Sequence, residues 1–138
     1  MSKVDDLVKE IAEVIYDKKG EDILILKIGE VHPLFDYFVI TTAYTEEHAR
    51  AIAGEIEKKL KEKGIYPHHI EGYEEAKWVI LDYWDIVVHI FLGDLREFYD
   101  LESLWGDVPS FKYPSENEVK INVGEKDNRE KKAFRKRI

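Results

Sequence analysis

Asp82 and Asp85 are the best-placed carboxylates in the chain, separated only by Tyr83-Trp84. A carboxylate pair on a sheet could hold Mg²⁺ for nucleotidyl transfer, but that reaction wants both groups on one face, two residues apart along a strand. A spacing of three across a turn fits an Asp that caps backbone amides instead. The eight glycines stand apart from one another, with no G-x-G-x-x-G or G-x-x-x-x-G-K-[ST] loop to cradle a phosphate. Of the five histidines, His68 and His69 are adjacent and point to opposite sides of a strand, so they cannot ligate one metal together. His89 sits in an apolar strand and reads as a structural residue. The chain has no Cys, hence neither a thiolate nucleophile nor a zinc ribbon nor a disulfide framework. No cofactor or metal is expected.

Aromatic residues are the stronger lead. Tyr73, Trp78, Tyr83, Trp84, Tyr99 and Trp105 crowd into a strand hairpin and the helix after it. Most belong in a core, but Trp78 follows the charged stretch Glu74-Glu75-Ala76-Lys77 and Trp84 occupies a turn, so both are expected to be partly exposed. Exposed Trp and Tyr beside Arg and acids mark protein–protein contacts. The residues point to a binding module rather than an enzyme.

The elements that must position these side chains follow from hydrophobic spacing. Val4, Leu7, Val8, Ile11, Ala12 and Ile15 recur at helical intervals up to Lys18-Lys19-Gly20. Ile23-Leu24-Ile25-Leu26 is a buried strand, His32-Pro33-Leu34-Phe35 a loop, and 36–42 a strand apolar on both faces, hence central. Thr45 caps a second helix carrying Ala49, Ile52, Ala53, Ile56 and Leu60, which Gly64 ends. Residues 68–71 form a short strand. Residues 78–83 and 86–91 form a hairpin about Trp84-Asp85. Asp94 opens a third helix, with Glu97 at the capping-box position and Phe98, Leu101 and Leu104 as its apolar stripe. This order predicts a single α/β domain, a mixed β-sheet flanked by helices, over residues 1–110. Residues 111–138 read as a charged, basic-ended tail, within which 118–123 alternates like an edge strand.

Length and charge agree with one domain. At 138 residues the chain buries roughly two thirds of its unfolded surface, no apolar run approaches a membrane span, and a cytoplasmic protein is expected. Residues 1–111 hold 12 basic and 24 acidic side chains, whereas 112–138 hold 9 basic and 5 acidic. An acidic body repels nucleic acid over most of its surface, while the arm Arg129–Arg137 could touch phosphate, the basis for an RNA-adaptor alternative.

Several blocks, in order, carry a resemblance: Asp36-Tyr37-Phe38-Val39-Ile40, His48, Glu71-Gly72, Trp78, Leu81-Asp82-Tyr83, then Asp85-Ile86-Val87-Val88-His89-Ile90-Phe91 and Arg96-Glu97-Phe98-Tyr99-Asp100-Leu101-Glu102-Ser103-Leu104-Trp105. Over about residues 4–109 the chain resembles the ribosomal silencing factor family, also called Iojap. The resemblance implies a nucleotidyltransferase-like fold without catalysis. It also implies binding to the large ribosomal subunit through the protein numbered fourteen on the subunit-joining face, steric block of the small subunit, and homodimers. The candidate partner-binding residues are Trp78, Asp82, Tyr83, Trp84, Arg96, Tyr99, Glu102 and Trp105. The chain departs from the family pattern in having Thr45-Glu46-Glu47 where Ser-Ser-Arg is usual, and Trp84 where a Gly usually precedes the residue at Asp85. A tight turn with positive φ resists Trp there.

The tail lies beyond the resemblance and opposes the body in charge. Deleting residues 112–138 is therefore expected to leave both fold and large-subunit binding intact. Loss of binding in a co-sedimentation assay would transfer the interface to the tail.

Overall fold

The structure, a computed structural model, describes residues 3–115. The possible strand at 118–123 and the basic arm 129–137 lie outside the described residues.

Helix α1 (Lys3–Asp17) precedes strand β1 (Glu21–Leu26), strand β2 (Tyr37–Ala43) and helix α2 (Glu46–Lys61). Strands β3 (His69–Glu71), β4 (Trp78–Asp82) and β5 (Ile86–Leu92) follow, then the short helices α3 (Leu95–Tyr99) and α4 (Leu101–Leu104) and strand β6 (Ser110–Tyr113). The sheet order is β3-β4-β5-β2-β1-β6. Only the central pair β2 and β5 is parallel, so the sheet is mixed. Both central strands are apolar on both faces because both faces are covered there. No helix among the described residues is long and apolar enough to cross a membrane.

The two long helices end as their sequences direct. Both close with paired backbone bonds that satisfy the last carbonyls: Gly20 N–H to Ile15 and Lys19 N–H to Tyr16 for α1, Ile65 N–H to Leu60 and Gly64 N–H to Lys61 for α2. The Thr45 hydroxyl accepts from the His48 amide at 3.0 Å and opens α2. The His48 ring then accepts from the Tyr44 amide through Nδ1 and donates from Nε2 to the Lys18 carbonyl at 2.7 Å, tying the start of α2 to the end of α1.

Helices α1 and α2 cover one sheet face with Ile11, Ile15, Ile52, Ile56 and Leu60 against Ile23, Val39, Val79, Leu81 and Val88. The opposite face holds a smaller cluster built on Leu24, Phe38, Ile40, Val87, Phe91 and Leu101. Its helical cover among the described residues is α3, α4 and the 3-10 turn Ile28–Glu30, whose Ile28 is buried in the cluster.

Three expectations are corrected. The third helix is not continuous: Asp100 takes a left-handed conformation (φ 48°, ψ 50°) and divides it into α3 and α4. The period of one helix is lost there, so Leu101 is buried while Phe98 and Leu104 are 78% and 73% exposed. Asp94 makes no side-chain cap bond, so the capping box does not form. The folded body also reaches past residue 110, because Ser110–Tyr113 pairs antiparallel with β1, Tyr113 opposite Ile23. A truncation that spares the sheet must start after Ser115.

Gly72 has φ +77°, and a Cβ there would lie 2.0 Å from the Trp78 carbonyl oxygen. Left-handed backbone alone costs an L-residue about 1–2 kcal/mol, and here the clash is with backbone that cannot rotate away. Gly72→Ala is expected to cost at least ~2 kcal/mol, read as a lower denaturant midpoint with unchanged slope.

Candidate partner-binding face

Alternation along β4 sends Val79 and Leu81 toward the long helices and Trp78, Ile80 and Asp82 to the other face. Antiparallel pairing sets Trp78 opposite Phe91, Ile80 opposite His89, and Asp82 opposite Val87. Parallel pairing with β2 adds Phe38 beside Val87. The result is a row of rings across the sheet. Trp78 lies 4.8 Å from Phe91 and 4.7 Å from Tyr99, Phe38 lies 4.8 Å from His89, and Trp105 meets Phe38 edge-on at 6.0 Å. Trp78, Ile80 and Trp105 are half-buried, Tyr99 is exposed, and Phe98 extends the row beyond Tyr99 with ring centroids 5.2 Å apart. Offset and edge-on ring pairs of this kind are mutually attractive.

His89 anchors the row. Its Nδ1 accepts the Trp78 indole N–H at 3.1 Å, so the neutral ring carries its proton on Nε2. That nitrogen is buried and has no acceptor among the described residues. Burial pushes the imidazole down to about 4.

Of the eight sequence-derived candidates, Trp78, Tyr99 and Trp105 come together in this row, with Asp82 at its edge. Trp84 stands apart on the hairpin tip, 61% exposed, its ring over His68 with centroids 3.8 Å apart. The turn keeps the left-handed conformation despite the bulky residue (φ +73°), and the Asp82 carboxylate accepts the Trp84 amide at 2.8 Å. Asp82 thus caps the turn, and no group of three or more His, Asp or Glu among the described residues is placed to hold a metal.

Three candidates sit elsewhere. Tyr83 is buried on the opposite face, in the cluster under α1 and α2, because strand alternation continues one residue past Asp82. Burial also raises its phenol well above the ordinary value. Arg96 and Glu102 are buried and paired, Nε to carboxylate at 2.8 Å. Arg96 Nη1 also donates to the Asp22 carbonyl at 2.6 Å and the Thr42 hydroxyl at 3.1 Å. These two residues brace α3 and α4 against β1 and β2. Sequence reasoning missed Phe38, Ile80, His89 and Phe91 as members of the face. The hairpin register, two residues of turn between 83 and 86, carried that signal.

A family model described as "Ribosomal silencing factor during starvation" matches residues 1–137, so the matched span includes the tail. The chain is 42% identical over 103 residues to the ribosomal silencing factor RsfS of Bacillus subtilis, covering 75% of this chain and 87% of that one. It is 39% identical over 105 residues to that of Halalkalibacterium halodurans, covering 76% and 90%. A crystallised protein from Chromobacterium violaceum shares its fold with a TM-score of 0.73 and 34% identity, over 76% of this chain and 88% of that one.

The buried imidazole makes stability depend on pH with a definite sign. The unfolded ring titrates near 6.5 and the folded one near 4, so between those values the unfolded state binds the extra proton. The stability that neutral His89 supports is complete above pH 6.5 and is lost as pH falls to about 4, by up to ~3 kcal/mol. His89→Phe should flatten the pH dependence of unfolding across that window relative to the parent. An unchanged slope would mean that folding does not hold the ring neutral.

Proposed function

The chain belongs to the ribosomal silencing factor family, a non-catalytic family, and from that premise we propose that its half-exposed aromatic row binds the large ribosomal subunit and blocks subunit joining. The partner in this reading is the large-subunit protein numbered fourteen at the joining face, and the setting is the cytoplasm. The observation that carries the reading is the row Trp78–Tyr99–Phe98 beside Ile80, left open on a sheet whose other face is covered by α1 and α2. A monomeric fold rarely exposes contiguous aromatic area without a partner for it. Acids stand beside the row, Glu71 exposed opposite Ile80 and Asp82 half-exposed, and the excess of acids over residues 1–111 suits a basic ribosomal protein. Homodimerisation is part of the proposal and is read from sedimentation of the free protein.

The test is co-sedimentation with purified large subunits, together with a subunit-joining assay. The parent protein is expected to pellet with free large subunits and lower the yield of joined particles. Trp78→Glu should weaken binding at least ~30-fold, the effect of losing one central aromatic anchor. Because Trp78 packs on Phe91 and Tyr99 and so also supports the fold, the exposed Tyr99→Glu is measured beside it. If both variants melt as cooperatively as the parent and still bind undiminished, the aromatic row is not the interface.

A further inference from the structure

A second surface, separate from the aromatic row, is a cleft of about 910 Å³ between the start of β1, the end of β2 and the α3–α4 segment. That volume falls in the range of ligand-binding clefts. Its walls include the carboxylates of Glu21, Asp22, Asp94, Glu97, Asp100 and Glu102, and Arg96 is the one basic residue among them. The carboxylates of Asp94 and Glu97 have no ion-pair partner among the described residues. Arg96 is only 6% exposed, and its Nη2 has no hydrogen-bond acceptor among the described residues. The cleft therefore presents an acidic wall for cations over a buried Arg96 that is already braced by Glu102, the Asp22 carbonyl and Thr42. A basic peptide segment suits that wall.

The chain carries such a segment and delivers it to this place. Tyr113 pairs opposite Ile23 in an antiparallel ladder, so the strand runs out past Asp22 and Glu21, two of the cleft's own acids. Lys112, the first basic residue of that end, already sets its ammonium 3.9 Å from the Asp22 carboxylate. Beyond Ser115, residues 116–128 lead to Arg129-Glu130-Lys131-Lys132-Ala133-Phe134-Arg135-Lys136-Arg137. Thirteen residues reach at most roughly 45 Å, ample for a segment that starts at the cleft's lip. Tethering turns the encounter into an intramolecular one at an effective concentration on the order of millimolar.

We propose that the basic segment Arg129–Arg137 docks within the same molecule into the acidic cleft formed by β1, β2 and α3–α4. Binding is through its Lys and Arg side chains against Asp94, Glu97 and Asp100. The contact is electrostatic and is screened as the Debye length falls from about 10 Å at 0.1 M salt to about 3 Å at 1 M. The cleft lining shares no residue with the aromatic row, so docking there leaves the row open.

The full-length chain has no Cys, so two engineered cysteines take spin labels without interference. Leu104→Cys, at an exposed site beside the cleft, is combined with Ala133→Cys, and the label separation is measured by pulsed electron paramagnetic resonance. The expected result at low salt is a defined short-distance population that falls several-fold in 1 M NaCl. The same fall is expected on Asp94→Lys with Glu97→Lys, two exposed substitutions whose effect on folding is checked by melting. Adding Arg135→Glu and Lys136→Glu to that pair should restore the short distance, because the charges are exchanged rather than removed. A broad distribution at low salt, or a short distance indifferent to the charge reversals, overturns the proposal. If the short-distance population disappears when labelled protein is diluted into unlabelled protein, the segment occupies the cleft of a second copy, and intramolecular docking is overturned.

Discussion

The guanidinium of Arg96 holds together what the long helices cannot reach. Helices α1 and α2 cover one face of the sheet with a broad apolar cluster and need no polar brace. The other face is capped by two helices too short to be stable alone, joined at a left-handed Asp100. Arg96 spans that break by pairing with Glu102, and it fixes both pieces to the sheet through the Asp22 carbonyl and the Thr42 hydroxyl. Removing one member of a buried ion pair typically costs 3–5 kcal/mol, because the other charge is left without compensation. Here the loss would release α3 and α4 together, and with them the placement of Tyr99 and Trp105.

The asymmetry of cover is what leaves a surface for a partner. Where Leu101 and Val108 seat the cap, the face is closed over Leu24, Leu26 and Ile40. Toward β4 the cap ends at Tyr99, and Trp78 and Ile80 stay half-open. The exposed rings are nonetheless held rigidly. Trp78 is stacked against Phe91 and Tyr99 and tethered by its indole N–H to a neutral, buried His89. An aromatic anchor whose geometry is set before binding loses little freedom on association, which is how such residues come to dominate an interface.

What was legible in the sequence follows from how local each determinant is. The two long helices, their caps and the β4–β5 hairpin depend on spacing and on residues a few positions apart, and all of them stand as read. The single α/β domain with a mixed sheet followed from the order of elements. The broken third helix was not legible, because Phe98, Leu101 and Leu104 keep helical spacing through a residue that leaves the helix. Strand β6 was missed because its partner, β1, is distant in the chain. The run from Arg96 to Trp105 pointed to importance but not to direction: Tyr99 is exposed and Trp105 half-buried, while Arg96 and Glu102 pair within. Tyr83 likewise belongs to the aromatic crowd by composition and to the helix-side core by alternation.

Charge separates the molecule into two parts that must find partners of opposite sign. Residues 1–111 hold twice as many acids as bases, whereas 112–138 hold the reverse excess. Each part repels others of its kind, so neither can satisfy its charge by self-packing alone. Two places gather some of these acids, the edge of the aromatic row and the cleft under α3. At the rim, apolar burial supplies affinity while charge steers encounter and selects the partner. In the cleft Tyr44 is the one ring among mostly acidic walls, so charge must supply most of the affinity, and that is affordable only for a ligand already held nearby. A tethered basic arm meets that condition and a free one does not. The two proposed contacts therefore differ in kind: one would survive salt because rings are buried, and the other would yield to it.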